Sequence, residues 1–412
     1  MHRLLLIILL LAGCSRKVRQ TPLSSQAYVW QRVWTEEVSA AVRAARFDAL
    51  HVLAAEFSVK DSRPEIKIIT PDWRALVDSG RQISAVLRVH ASVGRNGWNS
   101  SLVHEMSRLL TDTVSRFKAG GLHLTELQLD YDCAESRLAE YEQMLGSLRT
   151  DVPICITALP AWLRHEAVRK LLARSPGYVL QVHSLHLPKN AGLSGLMDLN
   201  ETRAAVQRAE ELGVPFRVAL PTYSCLVEFA DDGRVREVYG EDLPAGLALS
   251  TRNYAVLDSD AYTLSGLVAE WRAHSAQLMQ AVIWYRLPVG SDRLNWSASL
   301  LSKVAGGEML KRGWAAFARP AKEGHAEIIL QQKGEAPDDL PREVSISWQG
   351  GDIEGGDGLR GYKVLNHAPG CLTLRLEHPA RFGRVQPEQQ IVAGWVRLKD
   401  GQSASMDVRI IR

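Results

Sequence analysis

The stretch Leu124–Asp132 reads LTELQLDYD, and how it is read decides the fold. Leu127, Leu129 and Tyr131 alternate with Gln128, Asp130 and Asp132, just before a polar break. Alternation of this kind predicts a strand whose residues i, i+2 and i+4 share one face. A barrel-core strand normally carries Val or Ile on its inner face, because a buried charge is costly unless paired or hydrogen-bonded. An amide followed by two acids on that face therefore asks where in the chain the strand sits.

Working outward, short apolar runs alternate with helical patterns. The runs are AYVWQRVW (27–34), ALHVLAAEFS (49–58), ISAVLRVHAS (83–92), LTELQLDYD (124–132), VPICITALP (152–160), YVLQVHSL (178–185), PFRVALPTYS (215–224) and MQAVIWYRLP (279–288). Helical stretches lie between them, such as 36–45, 101–119, 136–149 and 201–212. In the last, Ala205, Val206, Ala209 and Leu212 recur at helical spacing, Gly213 closes the helix and Pro215 opens the next strand. Eight strands separated by helices predict an α/β fold, a parallel (β/α)8 TIM-type barrel. An open doubly wound sheet would normally show a glycine-rich first turn, which YVWQRVW lacks. Between strands seven and eight the chain departs from the repeat, with a hairpin pattern turning at Asp231-Asp232-Gly233. We read about 226–252 as an insertion at the carboxyl face, where barrel enzymes keep their sites. Past about Arg319 the helices stop, and short strands divided by Gly, Pro and Asp predict a small β-sandwich over 319–412.

The chain opens MHRLLLIILLLAGC: a positive Arg3, an apolar run too short to span a bilayer, and a small-residue cleavage site ending in Cys14. This predicts a signal peptide over 1–13 and a flexible tether over 14–26, leaving the barrel 27–318. The LAGC ending resembles the bacterial lipobox, which implies lipidation of Cys14. By resemblance to diderm lipoproteins, Ser15 after the cysteine implies the outer membrane, facing the periplasm. The 49 basic and 46 acidic residues nearly balance, so nothing suggests a nucleic-acid partner. Cys133, Cys155, Cys225 and Cys371 are scattered without a C-x-x-C pair, supporting neither a zinc site nor a disulfide framework, although one bridge stays open. No H-x-H or H-x-x-x-D group joins Asp130 and Asp132, so we expect neither a metal site nor a cofactor.

Placed as strand four, LTELQLDYD sends Gln128, Asp130 and Asp132 inward, with Asp132 at the carboxyl mouth and Leu127 and Leu129 towards the helices. Two nearby carboxylates cannot both ionise cheaply, so Asp130 is expected to raise the pKa of Asp132 and keep it able to donate a proton. A protonated outer acid at an open mouth suits attack on a glycosidic bond. Trp30 and Trp34 on strand one, Tyr223 on strand seven, and Trp284 and Tyr285 on strand eight are candidate surfaces for sugar rings, against core packing as the ordinary use of aromatics. Arg88 and Arg286 are candidates to neutralise Asp130 or to bind an acidic sugar, and equally candidates for structural ion pairs.

LTELQLDYD is similar to the strand-four D-x-x-D-x-D-x-E motif of chitinase-like (family 18) glycoside hydrolases. Thr125 falls on the first Asp, Gln128 on the second, Asp130 on the third and Asp132 on the terminal Glu. VALPTYS resembles that family's strand-seven L-P-x-Y element. AVIWYRLPVGSD resembles its strand-eight tryptophan segment, which implies that Trp284 floors the sugar site. The chain as a whole looks most like an uncharacterised family of bacterial lipoproteins sharing the QLDYD, TALPAWL and WYRLP elements. Taken together with the residue reading, this gives Asp132 as candidate general acid, Asp130 as its pKa partner, and candidate sugar contacts from Gln128, Trp30, Gln181, His183, Tyr223, Trp284 and Arg286. Asp132 is one methylene shorter than the family's Glu, and strand six offers Gln181 and His183 where the family has a tyrosine. Two functions stand: a membrane-anchored glycoside hydrolase acting on a cell-envelope or secreted polysaccharide, and a non-catalytic glycan-binding or assembly lipoprotein on the same barrel.

Overall fold

The structure is a computed structural model that describes residues 23–183, 196–230, 232–240, 254–321, 324–377, 384–399 and 404–411. The expected signal peptide, Cys14 and most of the tether lie outside the described residues.

Eight strands close into a parallel barrel: β1 (Ser24–Val29), β2 (Ala49–Lys60), β4 (Gln82–Val89), β5 (Leu124–Tyr131), β6 (Ile154–Ala158), β7 (Tyr178–Gln181), β8 (Phe216–Pro221) and β12 (Met279–Tyr285). Each pairs with the next around the ring, and the seam closes where β1 pairs with both β12 and β2. Helices return the chain between strands, for instance Ser100–Ala119 and Leu199–Glu211. Asn99 caps the first of these by accepting from the Leu102 amide at 2.9 Å, and Asp198 caps the second at Glu201. Leu102, Met106, Leu109, Leu110 and Phe117 form the buried stripe that lays Ser100–Ala119 on the barrel wall.

Two features differ from the expectation. The first strand runs over Ser24–Val29 rather than 27–34, and Trp30 continues its inward face from just beyond the strand. The second strand folds back on itself: β3 (Arg63–Ile68) pairs antiparallel with β2. Asp61 and Ser62 carry that turn with φ of 48° and 61°, a left-handed pair typical of tight hairpins. Its RPEIKI sequence is largely exposed, with Pro64, Ile66 and Ile68 alternating with Arg63, Glu65 and Lys67 in a short strand pattern that sequence reasoning passed over.

The described part of the strand-seven insertion is a three-stranded sheet, β9 (Ser224–Phe229), β10 (Val235–Tyr239) and β11 (Tyr254–Asp258), with β9 in the centre. Residues 241–253 of the insertion lie outside the described residues. The carboxyl-terminal part is a sandwich of two four-stranded antiparallel sheets. One contains β13 (Trp314–Pro320), β14 (His325–Gln332), β16 (Ile353–Gly358) and β19 (Gln390–Leu398). The other contains β15 (Glu343–Gln349), β17 (Tyr362–Ala368), β18 (Cys371–Leu376) and β20 (Ser405–Ile411). Ile328, Leu330, Ile346, Leu372, Leu374 and Val396 fill the space between them. Its first strand begins at Trp314, a few residues before 319. In IEGGDG the sheet neighbour approaches closely at Gly356, where a Cβ would lie 2.9 Å from the Trp395 carbonyl, and on the facing strand a Cβ on Gly394 would lie 2.6 Å from the Asp357 carbonyl. Cys133, Cys155 and Cys371 are free thiols, and Cys225 is buried.

Candidate functional site

The inward face of β5 carries two polar layers. In β4–β5 pairing Val86 lies opposite Gln128 and Arg88 opposite Asp130, while Leu127 and Leu129 turn into the barrel–helix layer. At the carboxyl mouth, a cavity of about 220 Å³ is bordered by Asp130, Asp132, Arg88, His183, Tyr223 and Tyr285. Tyr28, Trp30 and Gln181 complete its wall.

Asp130 is half-buried, and its Oδ1 accepts from the Thr157 hydroxyl at 3.0 Å. Burial and then the charge of Asp132 push its carboxyl up to about 6, against Arg88 and the Thr157 hydrogen bond. Asp132 stands on the exposed rim, yet the protein packed around it raises its carboxyl too, with Arg88 opposing. The larger elevation thus falls on the inner acid, the reverse of the order expected from the sequence, because Asp130 has less water around it. The charge of Asp132 couples the two carboxyls, and Asp130 holds its proton up to about pH 6.

Tyr285 is the centre of the aromatic wall. Its ring meets Trp30 at 5.0 Å, Tyr223 at 5.5 Å and Tyr28 at 5.7 Å, and stacks on the His183 ring at 5.1 Å. His183 is buried, and burial pushes its imidazole down to about 3, so it faces the acids as a neutral ring. The Tyr223 hydroxyl lies 3.5 Å from its Nδ1.

Four expected contacts lie elsewhere. Trp284 does not floor the cavity: with Ile283 and Tyr285 inward, the period of two turns it outward, where Nε1 donates to Ser25 Oγ at 3.1 Å and the ring packs near Trp296. Arg286 is buried against Asp292, Nη2 to Oδ1 at 3.0 Å, so its charge is engaged away from the mouth. Gln128 lies beneath the cavity, fully buried, and donates to the Tyr28 hydroxyl. Trp34 packs beside the core without bordering the cavity. Sequence reasoning passed over Tyr28 and Thr157. The parity that placed Asp130 inward would have found both, since Tyr28 shares a face with Trp30 and Thr157 with Cys155.

A second polar layer crosses the barrel interior from the other end of β5. Arg217 Nη1 and Nη2 lie 2.8 and 2.9 Å from the two carboxylate oxygens of Glu126, and Nη2 lies 2.9 Å from the Cys155 sulfur. His51 Nε2 lies 2.8 Å from Gln26 Oε1, and its Nδ1 lies 3.6 Å from Glu126. Burial, then Arg217, holds His51 well below the usual histidine range, and burial pushes the Cys155 thiol up to about 12.

Solved structures similar to this chain include the spore cortex-lytic enzyme SleL of Bacillus megaterium QM B1551, at 11% identity and a TM-score of 0.50, covering 71% of this chain and 75% of that one. Chitinase RmChi1 of Rhizomucor miehei is 13% identical at a TM-score of 0.47, covering 69% and 99%. The GH18 chitinase ChiB of Flavobacterium johnsoniae is 12% identical at 0.44, covering 69% and 94%. At these identities the likeness is one of fold. No curated protein matches the chain. The family model described as "Domain of unknown function (DUF3142)" matches residues 79–290, which run from just before β4 to just past β12 and make up more than half of the chain, and the chain belongs to that family.

Proposed function

We propose that the barrel mouth binds a glycan and hydrolyses it, with Asp132 as general acid and Asp130 as its pKa partner. The observation that carries this is the carboxylate pair itself: two acids of raised pKa, one held inside by Thr157 and one on the exposed rim, in a cavity walled by tyrosines and Trp30. The rim acid, whose carboxyl burial raises, passes its proton to the leaving glycosidic oxygen as the bond breaks, and the neighbouring inner acid adds to the cost of ionising both. Tyr285, Tyr223 and Trp30 offer ring faces, and Gln181 and Arg88 offer donors to hydroxyl oxygens. The wall opposite the pair is Gln181, His183, Tyr223 and Tyr285, with no acid among them. Among the described wall residues no nucleophilic or base carboxylate faces the pair across the sugar, which leaves attack assisted by the sugar itself or binding without turnover. By this reading the fold shared with SleL supports a glycosidase-like barrel, while the substrate is left to this chain's own residues.

One observation favours a second reading, a glycan-binding barrel without turnover: Gln128 stands beneath Asp130 as a neutral amide bonded to Tyr28, where an acid would strengthen the proton relay. Turnover of amino-sugar and acidic oligosaccharides by the native protein separates the two. Asp132→Asn keeps shape and hydrogen bonding but removes the proton, so the rate should fall by about 10² to 10⁴ with little change in affinity. If native protein and Asp132→Glu both bind a glycan and neither cleaves it, the hydrolase reading is wrong and the binding reading holds.

We also propose that Cys14 carries a lipid and holds the barrel at the outer membrane, facing the periplasm. Cys14→Ala should move the protein from the membrane pellet to the soluble fraction. Sedimentation of that variant with membranes after a salt wash would refute the anchor.

A further inference from the structure

Beside the mouth lies a second groove, of about 480 Å³, built by the β2–β3 hairpin that an ordinary barrel lacks. Its walls are Arg32, Glu56, Glu65, Lys67, Arg88 and His90. Arg88 borders both cavities, so the groove continues the mouth outward across this one side chain.

The charges in the groove are unequally matched. Glu56 is held by Arg32, Nε at 3.0 Å and Nη2 at 2.8 Å, with Lys67 at 3.9 Å. Arg88 is different. Its guanidinium lies 5.9 Å from the Trp30 ring centroid, and among the described residues no hydrogen bond or ion pair within 4 Å engages it. Asp130, Asp132 and Glu56 all feel its charge at longer range. A half-buried guanidinium presents five donors in a planar fork, and that fork matches a carboxylate bidentately. Lys67, 63% exposed, and His90 stand further out on the same groove. Of the two acids in the groove, Glu56 is already claimed by Arg32, and Glu65 stands exposed on β3.

We infer that the groove is a subsite for an acidic sugar, whose carboxylate is gripped by Arg88 with Lys67 behind it, so that the substrate is an anionic polysaccharide rather than a neutral one. This rests on the reading of the mouth as a glycan site and names its substrate class. Trp30, under the guanidinium and in the mouth wall, orders the fork for a planar acceptor.

The test is calorimetric binding of hyaluronan, oligogalacturonate and oligoalginate fragments of equal length, each beside its carboxyl-reduced derivative, with chitin oligosaccharides as the neutral amino-sugar reference. At least one acid should bind about tenfold or more tightly than its reduced form, with affinity falling as salt rises. Arg88→Gln should abolish that preference, while Lys67→Met, on the exposed rim and harmless to folding, should weaken it a few-fold. Equal affinity for every acid and its reduced form would overturn the inference, as would Arg88→Gln, folded by circular dichroism, retaining the preference. Binding of chitin oligosaccharides with no acid preference removes the groove but leaves the mouth as a glycan site. Absence of binding by any oligosaccharide removes both.

Discussion

The two polar layers on β5 lie on the same inward face and differ in how they are paired. In the lower one, Glu126 meets both Arg217 nitrogens and His51 meets Gln26, so charge and amide have partners inside the protein. In the upper one, Asp130 has a single hydroxyl, Asp132 faces the rim, and Arg88 has no close acceptor among the described residues. The same strand thus carries a charge-paired layer and an open one, although in the lower layer His51 Nδ1 and Glu126 Oε1 make no hydrogen bond. A buried ionic group with complete partners needs nothing from outside, whereas one left short is tuned in pKa and open to a ligand. On the proposed reading the difference separates a structural layer from a functional one, and substitutions in each layer test it.

The largest effect belongs to the lower layer. Arg217→Met strips Glu126 of its partner and leaves a carboxylate among Cys155, His51 and the barrel wall. Breaking a buried pair from one side costs about 3–5 kcal/mol, which urea unfolding should read directly. Adding Glu126→Leu should recover much of that loss, because the lone charge goes with its partner. If Arg217→Met costs less than about 1 kcal/mol, the lower layer is not the paired support described here.

The upper layer predicts the opposite sign. Asp130 has a folded pKa of about 6 against an ordinary value of 3.8. Between those values the folded state binds the extra proton, so on this group's account stability is highest below about pH 4 and is lost as pH rises through about 6. Asp130→Asn removes that penalty. It should stabilise the protein by roughly 1–2 kcal/mol at pH 7, with the gain vanishing by about pH 4. Denaturation midpoints against pH would show it, and a loss of stability at pH 7 would mean that Asp130 is a structural acid like Glu126.

Much of this contrast is legible in LTELQLDYD. The alternation fixes which residues face inward, and the eight-fold repeat of strand and helix fixes the barrel around them. What the sequence does not carry is pairing. Arg217 and Glu126 are 91 residues apart and become partners only when the ring closes. Trp284 and Tyr285 are adjacent, and a one-residue choice of register decides which ring enters the mouth; the family pattern pointed to the tryptophan, while the inward position of Ile283 selects the tyrosine. Arg286 reads as a free cation at a strand end until the fold brings Asp292 back onto it. The β3 strand leaves only a short alternation, Pro64, Ile66 and Ile68, on an exposed element where the repeat predicts a helix, so the groove beside the mouth is not read from it. The start of the sandwich at Trp314 is hidden for a related reason: WAAFARP is short, alanine-rich and only partly buried.

The smallest effect separates the layers at a single hydroxyl. Thr157 donates to Asp130 Oδ1 at 3.0 Å and so favours the ionised acid. Thr157→Val deletes the donor with little change of shape, and the pKa of Asp130 should rise by less than about one unit. Where Asp130 is ionised, the variant should lose about 0.5–1.5 kcal/mol, the net worth of one hydrogen bond, with the larger figure if the carboxylate finds no water to replace it. Below about pH 4, where Asp130 is protonated in both proteins, the deficit should shrink, because a neutral carboxyl asks less of a donor. Combining Thr157→Val with Asp130→Asn gives the decisive cycle: once the charge is gone, deleting the hydroxyl should cost less at pH 7 than it does beside the native acid. A deficit that is the same at pH 4 and pH 7, and the same beside Asp and Asn, would make Thr157 a packing residue. The upper layer would then owe the raised pKa of Asp130 to burial and to Asp132 alone.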